Sequence, residues 1–346
     1  MLLPVLFFCR IGIKRLLPCV WLLAAGLLQA QSITLTAEQS RLNLGNGLQY
    51  VEAPNADGSL DTAFIPDANV QVVTTVIQPD GKIIIVGLFT TVGGQTRNLI
   101  ARLNADGTLD PTFNPNVGGN SVTSIAVQSD GTFIIGGQFD TVGGLPRKNL
   151  AVLNSDGSVN SLNLGADLEV LSVAIQQAIP FNKSFEPKIN GKILIGGRFT
   201  TVGEEGRVGI ARLNADLSVD SAFSPIVSNG GGTVNSTTIQ PDGKIIIGGS
   251  FNVVGGVPRN HIARLNADGS VDTAFNPNAN FFLFSLAIQS DGKIIIVGRF
   301  TTFGGQNRNK IARLNANGSP DTNFIETNPD FDVLSVAIQA DGKVIV

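Results

Sequence analysis

The sequence predicts an all-β fold, a β-propeller built of four-stranded blades, on three observations. The phrase "IARLNADGTLDPTF" at Ile100–Phe113 occurs six times in related forms. A second phrase, "TTVIQPDGKIIIVGLFTTVGGQTRN" at Thr74–Asn98, precedes it, and its turn glycine recurs at spacings of 50, 60, 52, 49 and 50 residues. No stretch of the repeat shows a helical period. A period of this size is typical of solenoids and propellers.

Each period contains four strand signals. "TTVIQ" alternates, whereas "KIIIVGLF" is β-branched and apolar, as in a strand buried on both faces. "IARLN" and "LDPTF" flank the turn "ADG". Four antiparallel strands in about 50 residues form one propeller blade. A β-solenoid is the alternative, although its rungs are usually shorter and its strands parallel.

The ends of the repeat predict how the ring closes. It begins with "LQYVEAPNADGSLDTAF", the outer two strands of a blade, and ends with "VLSVAIQADGKVIV", the inner two. Joined in one sheet, these halves form a sixth blade. Six blades are therefore favoured. A fragment of a larger array is the alternative, because "KVIV" stops where other copies continue.

The first 30 residues have the features of a secretory signal peptide. A basic start with Arg10, Lys14 and Arg15 precedes an apolar run from Leu16 to Leu28, and a small residue, Ala30, marks the expected cleavage site. The run is shorter than the about 20 residues of a membrane span. We expect a signal peptide at 1–30, an N-terminal segment at 31–47 and the propeller at 48–346, secreted or at the cell surface.

Removal of the signal changes the composition. Cys9, Cys19 and the only tryptophan, Trp21, leave with it, so no disulfide is expected. Three of the 24 Lys and Arg lie in the signal, so 21 basic residues face 27 acidic ones, a net charge of −6. Without a basic run, nothing indicates nucleic acid. With one histidine and no remaining cysteine, no metal centre and no cofactor are predicted.

The hairpin phrase predicts structural ion pairs. A three-residue loop with Gly107 in the left-handed conformation places Leu103 opposite Leu109 and Arg102 opposite Asp110. The same register pairs Arg212 with Asp220, Arg264 with Asp272 and Arg313 with Asp321. In the copy at Leu150–Asn163 both charges are replaced together, by Val152 and Asn160. This pattern indicates cross-strand pairs rather than a binding site.

The "VGGxxR" loops contain the candidate ligand-binding residues. Their arginines are Arg97, Arg147, Arg207, Arg259 and Arg308. Five arginines on one propeller face could receive an anion, such as an acidic glycan. The alternative is that each holds its own loop by bonding carbonyl oxygens. The loop does not open a helix, so it is no phosphate loop.

Other candidate sites have simpler explanations. "N-x-D-G-x-x-D" (Asn104, Asp106, Asp110) is too short for a calcium loop and fits a turn. His261 is replaced by Leu99, Asn149, Gly209 and Lys310 in the other copies, so it is expected to be exposed and not catalytic. A carboxylate pair for glycoside hydrolysis would come from the non-repeated glutamates, which have no partner visible in the sequence. These are Glu169, Glu186, Glu204, Glu205 and Glu326.

Two departures from the repeat are further candidates, since function in a symmetric scaffold tends to occur where symmetry breaks. Gln177–Ile189 is about ten residues longer than its equivalents. In Asn280–Gln289, Phe281 and Phe282 replace small or polar residues. A tolerated loop insertion and local core filling would also explain them.

The repeat "IQPDGKIIIVGLFTTVGGQTRNLIARLNADGTLDPTF" and its relatives, from about Leu48 to Val346, resemble the delta-60 repeat, a bacterial propeller-type repeat of exported and cell-surface proteins. The resemblance implies fold and export, with no catalytic residue to transfer. The predicted function is a non-enzymatic binding or scaffold module. The sequence does not identify its partner, and an anionic glycan or another surface protein are the candidates. The alternatives are a secreted polysaccharide hydrolase or lyase, and a carbohydrate-binding propeller, although Tyr50 alone is poor material for sugar stacking.

Overall fold

The computed structural model of this chain describes residues 64, 66–176, 191–228, 232–325, 329–339 and 342–346. All regular structure in these ranges is β-strand. The repeat forms successive small antiparallel sheets, which confirms the all-β propeller fold class. Gln177–Ile189 lies outside the described residues.

Five sheets follow one another along the chain and are numbered here as blades 1 to 5. In each, an inner strand pairs with a middle strand, and the middle strand pairs with a third strand. In that order they are Val72–Ile77, Ile83–Gly87 and Ile100–Leu103 (blade 1); Val117–Val127, Phe133–Val142 and Leu150–Leu153 (blade 2); Val170–Ile175, Ile193–Gly197 and Ile210–Leu213 (blade 3); Thr233–Ile239, Ile245–Ser250 and Ile262–Leu265 (blade 4); Leu283–Ile288, Ile294–Gly298 and Ile311–Leu314 (blade 5). A short pair, Ala337–Ile338 and Val344–Ile345, follows blade 5.

The predicted fourth strand is shortened to one residue pair in each blade. Leu103 pairs with Leu109, the predicted register, and the Asp110 amide donates to the Arg102 carbonyl oxygen at 2.8 Å. The ladder stops there because the Thr112 amide donates to Oδ1 of Asp110 at 2.9 Å and turns the chain. The backbone of Asp110 thus belongs to the short fourth strand, and its side chain terminates that strand.

The "VGGxxR" loops are small ribbons. In blade 1, Thr91–Val92 pairs with Gln95–Thr96, with Gly93 (φ 56°) and Gly94 (φ 70°) between them. Two successive positive φ values are typical of a type I′ turn. The corresponding short strands are Leu145–Pro146 in blade 2, Thr201–Val202 and Glu205–Gly206 in blade 3, Val227–Ser228, Val253–Val254 and Val257–Pro258 in blade 4, and Thr302–Phe303 and Gln306–Asn307 in blade 5.

The core lies between neighbouring blades. Ile84, Ile85 and Val86 of the middle strand are fully buried, as predicted for a strand covered on both faces. Ile84 and Val86 pack in one cluster with Val122 and Ile135 of blade 2. Each blade therefore buries one face of its neighbour's middle strand.

Each blade has two ends that carry different loops. At the "hairpin end" lie the turns 78–82 and 104–108 of blade 1 and their equivalents. At the "loop end" lie the ribbons and the connections between blades. Inner strands of successive blades lie side by side: the Thr74 hydroxyl donates to the Thr123 carbonyl oxygen at 3.1 Å, and the Thr123 hydroxyl to that of Val170 at 2.8 Å.

The predicted closing segment, Leu48–Phe64, lies outside the described residues except for Phe64. Phe64 is buried and lies against Gly107 of blade 1, as Phe113 lies against Gly157 of blade 2. Phe64 therefore packs on the hairpin end of blade 1 in the way that Phe113 packs on blade 2. The number of blades and the closure of the ring stay predictions.

Candidate functional site

Three charged side chains meet at the hairpin end of blade 1. Oδ2 of Asp110 lies 2.9 Å from Nε of Arg102 and 2.9 Å from Nζ of Lys82, and Asp110 is buried. The same three-residue cluster occurs in blades 3, 4 and 5, at Arg212, Asp220 and Lys192, at Arg264, Asp272 and Lys244, and at Arg313, Asp321 and Lys293. Each predicted Arg–Asp pair is therefore an ion pair in the structure. Sequence reasoning missed the lysine, although a "GK" dipeptide occurs in the same four repeats.

The arginine of this cluster also contacts the next blade. Nη1 of Arg102 donates to the Ser155 carbonyl oxygen at 2.9 Å, and its guanidinium lies 4.6 Å from the centre of the Phe113 ring. Phe113 in turn lies against Gly157 of blade 2. Equivalent bonds run from Arg212 to the Ala267 carbonyl and from Arg264 to the Ala316 carbonyl. The cluster therefore joins two blades as well as two strands.

The electrostatics of the cluster keep its carboxylate ionised. Burial raises the pKa of Asp110, but hydrogen bonds from Thr112, Lys82 and Arg102 outweigh it, and the pKa lies well below its usual range. In blade 4 the hydrogen bond from Lys244 is the largest influence and lowers the pKa of Asp272. These carboxylates therefore accept hydrogen bonds and are poor candidates for a general acid.

Blade 2 replaces the entire cluster. Thr132, Val152 and Asn160 stand where the other blades have Lys, Arg and Asp. In blade 2 the position of Phe113 is occupied by Asn163. In blade 3 the hairpin glycine against which such a phenylalanine would pack is replaced by Leu217 (φ 69°). Leu217 packs against the core cluster of these two blades. The junction between blades 2 and 3 is thus apolar at its hairpin end. In the other described junctions an arginine of one blade donates a hydrogen bond to a backbone carbonyl of the next.

The loop arginines do not form an exposed ring. Arg97, Arg147, Arg207 and Arg259 are between 5% and 8% exposed. In blade 2, Arg147 donates to the carbonyl oxygens of Pro146 at 2.8 Å and Asn160 at 3.0 Å, and the other three make the same kinds of bond. Arg308 is half-buried and donates to the Asn307 carbonyl at 3.3 Å. These contacts hold each loop to its own blade, and anion binding stays an untested prediction.

The "N-x-D-G" segments form turns, as predicted. Nδ2 of Asn104 donates to Oγ1 of Thr108 at 2.9 Å, and the Thr108 amide donates to Oδ1 of Asp106 at 3.0 Å. Gly107 has a φ of 83°, the left-handed conformation that the loop requires. The polar atoms of this motif are therefore engaged with one another.

The expectation that His261 is exposed is wrong. It is half-buried, and its position in the repeat is left-handed in every blade. The φ values are 64° at Leu99, 61° at Asn149, 75° at Gly209, 65° at His261 and 64° at Lys310. The variety of residues at this position reflects different contacts with the next blade. Comparing residue types in the sequence could not show that one backbone conformation underlies them all.

His261 belongs to a small aromatic cluster at the loop end. Its ring centre lies 5.4 Å from that of Phe282 and 6.5 Å from that of Phe281, and the two phenylalanine rings lie 4.2 Å apart. Burial lowers the pKa of His261, and a hydrogen bond with the Gly249 backbone opposes this in part. Phe281 is 38% exposed, so local core filling accounts for only part of its surface.

The non-repeated glutamates are scattered. Glu169 lies 3.9 Å from Nη1 of Arg198, and Glu205 lies 3.6 Å from Nη1 of Arg207. Glu204 is exposed, whereas Glu186 and Glu326 lie outside the described residues. Within the described ranges, no three His, Cys, Asp or Glu side chains are grouped to hold a metal ion. In the same ranges no helix is long and apolar enough to cross a membrane.

Comparisons with known proteins agree with this architecture. The model of a family described as "Domain of unknown function (DUF5122) beta-propeller" matches residues 78–113, 128–161, 190–223, 240–275 and 289–324, just over half of the chain. No curated protein matches the sequence significantly.

Two solved structures are similar to this chain at low sequence identity. The extracellular domain of a one-component system from B. thetaiotaomicron is 13% identical with a TM-score of 0.53, and the match covers 92% of this chain and 38% of that one. The WD40 β-propeller domain of Doa1 is 16% identical with a TM-score of 0.48 over 79% of this chain and 85% of that domain. This chain therefore spans well under half of the bacterial domain.

Proposed function

We propose that this chain, which belongs to the DUF5122 β-propeller family, is an exported, non-enzymatic binding or scaffold module at the cell surface or outside the cell. One observation carries the proposal. The loop end keeps the same short two-stranded ribbon in every described blade, while the exposed residues of its second strand change from Gln95–Thr96 to Leu145–Pro146 and Glu205–Gly206. A constant scaffold with varied side chains is suited to presenting a recognition surface.

The state of the acidic residues favours binding over catalysis. The buried aspartates of the four ion-pair clusters are each held by two cations at ion-pair distance, as Asp220 is by Lys192 and Arg212. A hydrolase or lyase needs a carboxylate that is free to exchange a proton or attack substrate. Among the described non-repeated glutamates, Glu169 and Glu205 each lie beside an arginine.

Export is supported by the signal features of residues 1–30 and by the resemblance to the delta-60 repeat of exported proteins. The extracellular domain from B. thetaiotaomicron shows only that the fold is compatible with such a location. We further propose the domain division at residues 30 and 47, with the propeller running from 48 to 346.

Expression in a bacterium with a C-terminal tag tests export. We expect tagged protein outside the cytoplasm with an amino terminus at Gln31. Intact tagged protein that retains Met1 and stays in the cytoplasm would contradict export.

Substitutions at the two ends of the blades test binding. Purified protein is immobilised and exposed to surface extracts and glycans. We expect substitutions of exposed loop-end residues, such as Leu168→Ser, to weaken capture, whereas substitutions of exposed hairpin-end residues, such as Asp268→Asn, leave it unchanged. Hydrolysis or elimination of an offered polysaccharide would favour the enzyme alternative.

A further inference from the structure

The loop end of the junction between blades 2 and 3 departs from the polar contacts of the other blades. In blades 1, 3 and 5 a threonine follows the phenylalanine that lies just after the middle strand. The side chain of this threonine is hydrogen-bonded to a side chain that precedes the inner strand of the same blade. The bonds join Thr90 to Asn69 at 2.9 Å, Thr200 to Asp167 at 2.5 Å and Thr301 to Asn280 at 2.9 Å. In blade 2 this position is Asp140, and Gly119, within the inner strand, stands in place of the residue that bonds the threonine.

A second contact is replaced in the same blade. The residue after the loop arginine is an asparagine in blades 1 and 4, where it donates to an asparagine of the next connection. Asn98 bonds Asn116 at 2.8 Å, and Asn260 bonds Asn278 at 2.8 Å. In blade 2 this residue is Lys148, and Gly165, without a side chain to accept a bond, follows in the connection.

The replaced side chains have no hydrogen-bond or ion-pair partner among the residues that the structure describes. Asp140 and Lys148 are exposed on the wall of a cleft of about 230 Å³ between blades 2 and 3. The exposed amides of Asn120 and Gln138, also without partners there, line the same cleft. Four side chains with free donors and acceptors therefore line one cleft, and two of them, Asp140 and Lys148, occupy positions that make structural hydrogen bonds in other blades.

The floor of the cleft is rigid. Asn149 is buried with a φ of 61°, accepts a hydrogen bond from the Phe139 amide at 3.2 Å and donates to the Ala166 carbonyl at 3.0 Å. Asp167, in the wall, accepts from the amides of Thr200 and Thr201 at 2.8 and 2.9 Å. Leu168, 51% exposed, adds an apolar surface. A fixed backbone with free side chains is the arrangement of a preformed site.

The lining indicates the class of ligand. Three acids, Asp140, Asp167 and Glu169, exceed the one lysine, Lys148, so an anion is disfavoured. A hydroxyl group both donates and accepts, so a ring with adjacent hydroxyls can satisfy amides, a carboxylate and an ammonium together. The volume lies below the roughly 300–1,000 Å³ of drug-sized sites and suits about one ring.

We propose that this cleft binds one residue of a neutral glycan, with Asp140, Lys148, Asn120 and Gln138 as its polar contacts and Leu168 against the apolar face of the sugar. The proposal rests on the proposed function as a binding module and assigns it a position and a ligand class. It differs from the acidic glycan expected at the loop arginines, whose guanidinium groups bond carbonyl oxygens.

The repeat itself supplies the test variant. Asp140→Thr with Lys148→Asn gives blade 2 the residues of blade 1, Thr90 and Asn98, and should leave the fold intact. Asn252→Thr makes a comparable change at the equivalent exposed position of blade 4 and is the matched control. The probes are glucose, galactose, mannose and N-acetylglucosamine, with glucuronate as the anionic counterpart, titrated by NMR.

We expect at least one neutral sugar to bind the wild type and Asn252→Thr equally, and to bind the double variant roughly tenfold to a hundredfold more weakly at an unchanged melting temperature. Glucuronate should bind less well than the matching neutral sugar. The proposal is overturned if no neutral sugar binds the wild type at millimolar concentration, or if the double variant binds as well. If the protein binds another partner and neither variant weakens that binding, the cleft proposal is wrong, whereas the proposed function as a binding module is not contradicted.

Discussion

The guanidinium of Arg102 donates from Nη1 to the Ser155 carbonyl oxygen, 53 residues further along the chain, at 2.9 Å. The same guanidinium bonds Asp110 of its own hairpin through Nε at 2.9 Å. One buried side chain therefore fixes both the fold of a blade and its contact with the next. Repetition of the hairpin phrase follows from this, because each junction of this type needs the same residues.

Replacing Arg102 alone should lower the free energy of unfolding more than replacing all three residues of its cluster. Arg102→Val removes charged hydrogen bonds and the contact over Phe113, and should lower the free energy of unfolding by roughly 2–4 kcal/mol. Lys82→Thr and Asp110→Asn introduce the residue types found at these positions in blade 2. Added to Arg102→Val, they remove the charges that it leaves without a partner and should restore part of the free energy of unfolding. Urea unfolding of both variants measures this. A triple variant no more stable than Arg102→Val alone would contradict the expectation.

The hairpin glycine is predicted to be required for packing as well as for its conformation. A Cβ on Gly157 would lie 2.8 Å from the Phe113 ring, at a φ of 89°. Gly144 has a similar φ of 76° with nothing within 4 Å, so Gly144→Ala measures the conformational cost alone. Gly157→Ala should cost about 1–3 kcal/mol more than Gly144→Ala. Equal melting temperatures would show that Phe113 moves aside freely.

His261 should make stability pH-dependent near neutrality. Its pKa is lowered in the folded state, so the unfolded chain binds more protons, and stability falls as the pH drops below the ordinary value of 6.5. It is the only histidine in the chain. His261→Asn, which places at this left-handed position the residue found at Asn149, should flatten the dependence. Thermal melts across this range in both proteins check it, and identical slopes would rule out His261 as the cause.

Closure of the ring can be tested with an engineered disulfide. In blade 1 Ile84 pairs with Arg102, and the repeat register therefore places Ile345 opposite Ala53 if the two ends share a sheet. Ala53→Cys with Ile345→Cys should crosslink under air in protein lacking residues 1–30, which has no other cysteine. Ile295→Cys with Arg313→Cys, paired in blade 5, is the control. Crosslinking of the control pair alone would indicate an open array.

The sequence was sufficient to predict features that depend on neighbouring residues. The period, the buried middle strand, the turn at Gly107 and the Arg102–Asp110 register follow from spacing and turn chemistry, because hairpin geometry is local. The structure has each of them. The shortening of the fourth strand was missed, although its cause is also local. Oδ1 of Asp110 accepts a hydrogen bond from the Thr112 amide, and this bond turns the chain.

Only the tertiary structure could decide what each blade does to its neighbour. The sequence alone could not show that Lys82 joins the ion pair, that Arg102 reaches Ser155, or that the loop arginines are buried, because these contacts span 28 or 53 residues or depend on burial. The same holds for the cleft between blades 2 and 3. Asp140 and Lys148 are ordinary surface residues in the sequence, and only packing of the two blades places them on one wall with Leu168. Local patterns thus determine a blade, whereas burial and long-range contacts determine how it packs against the next blade.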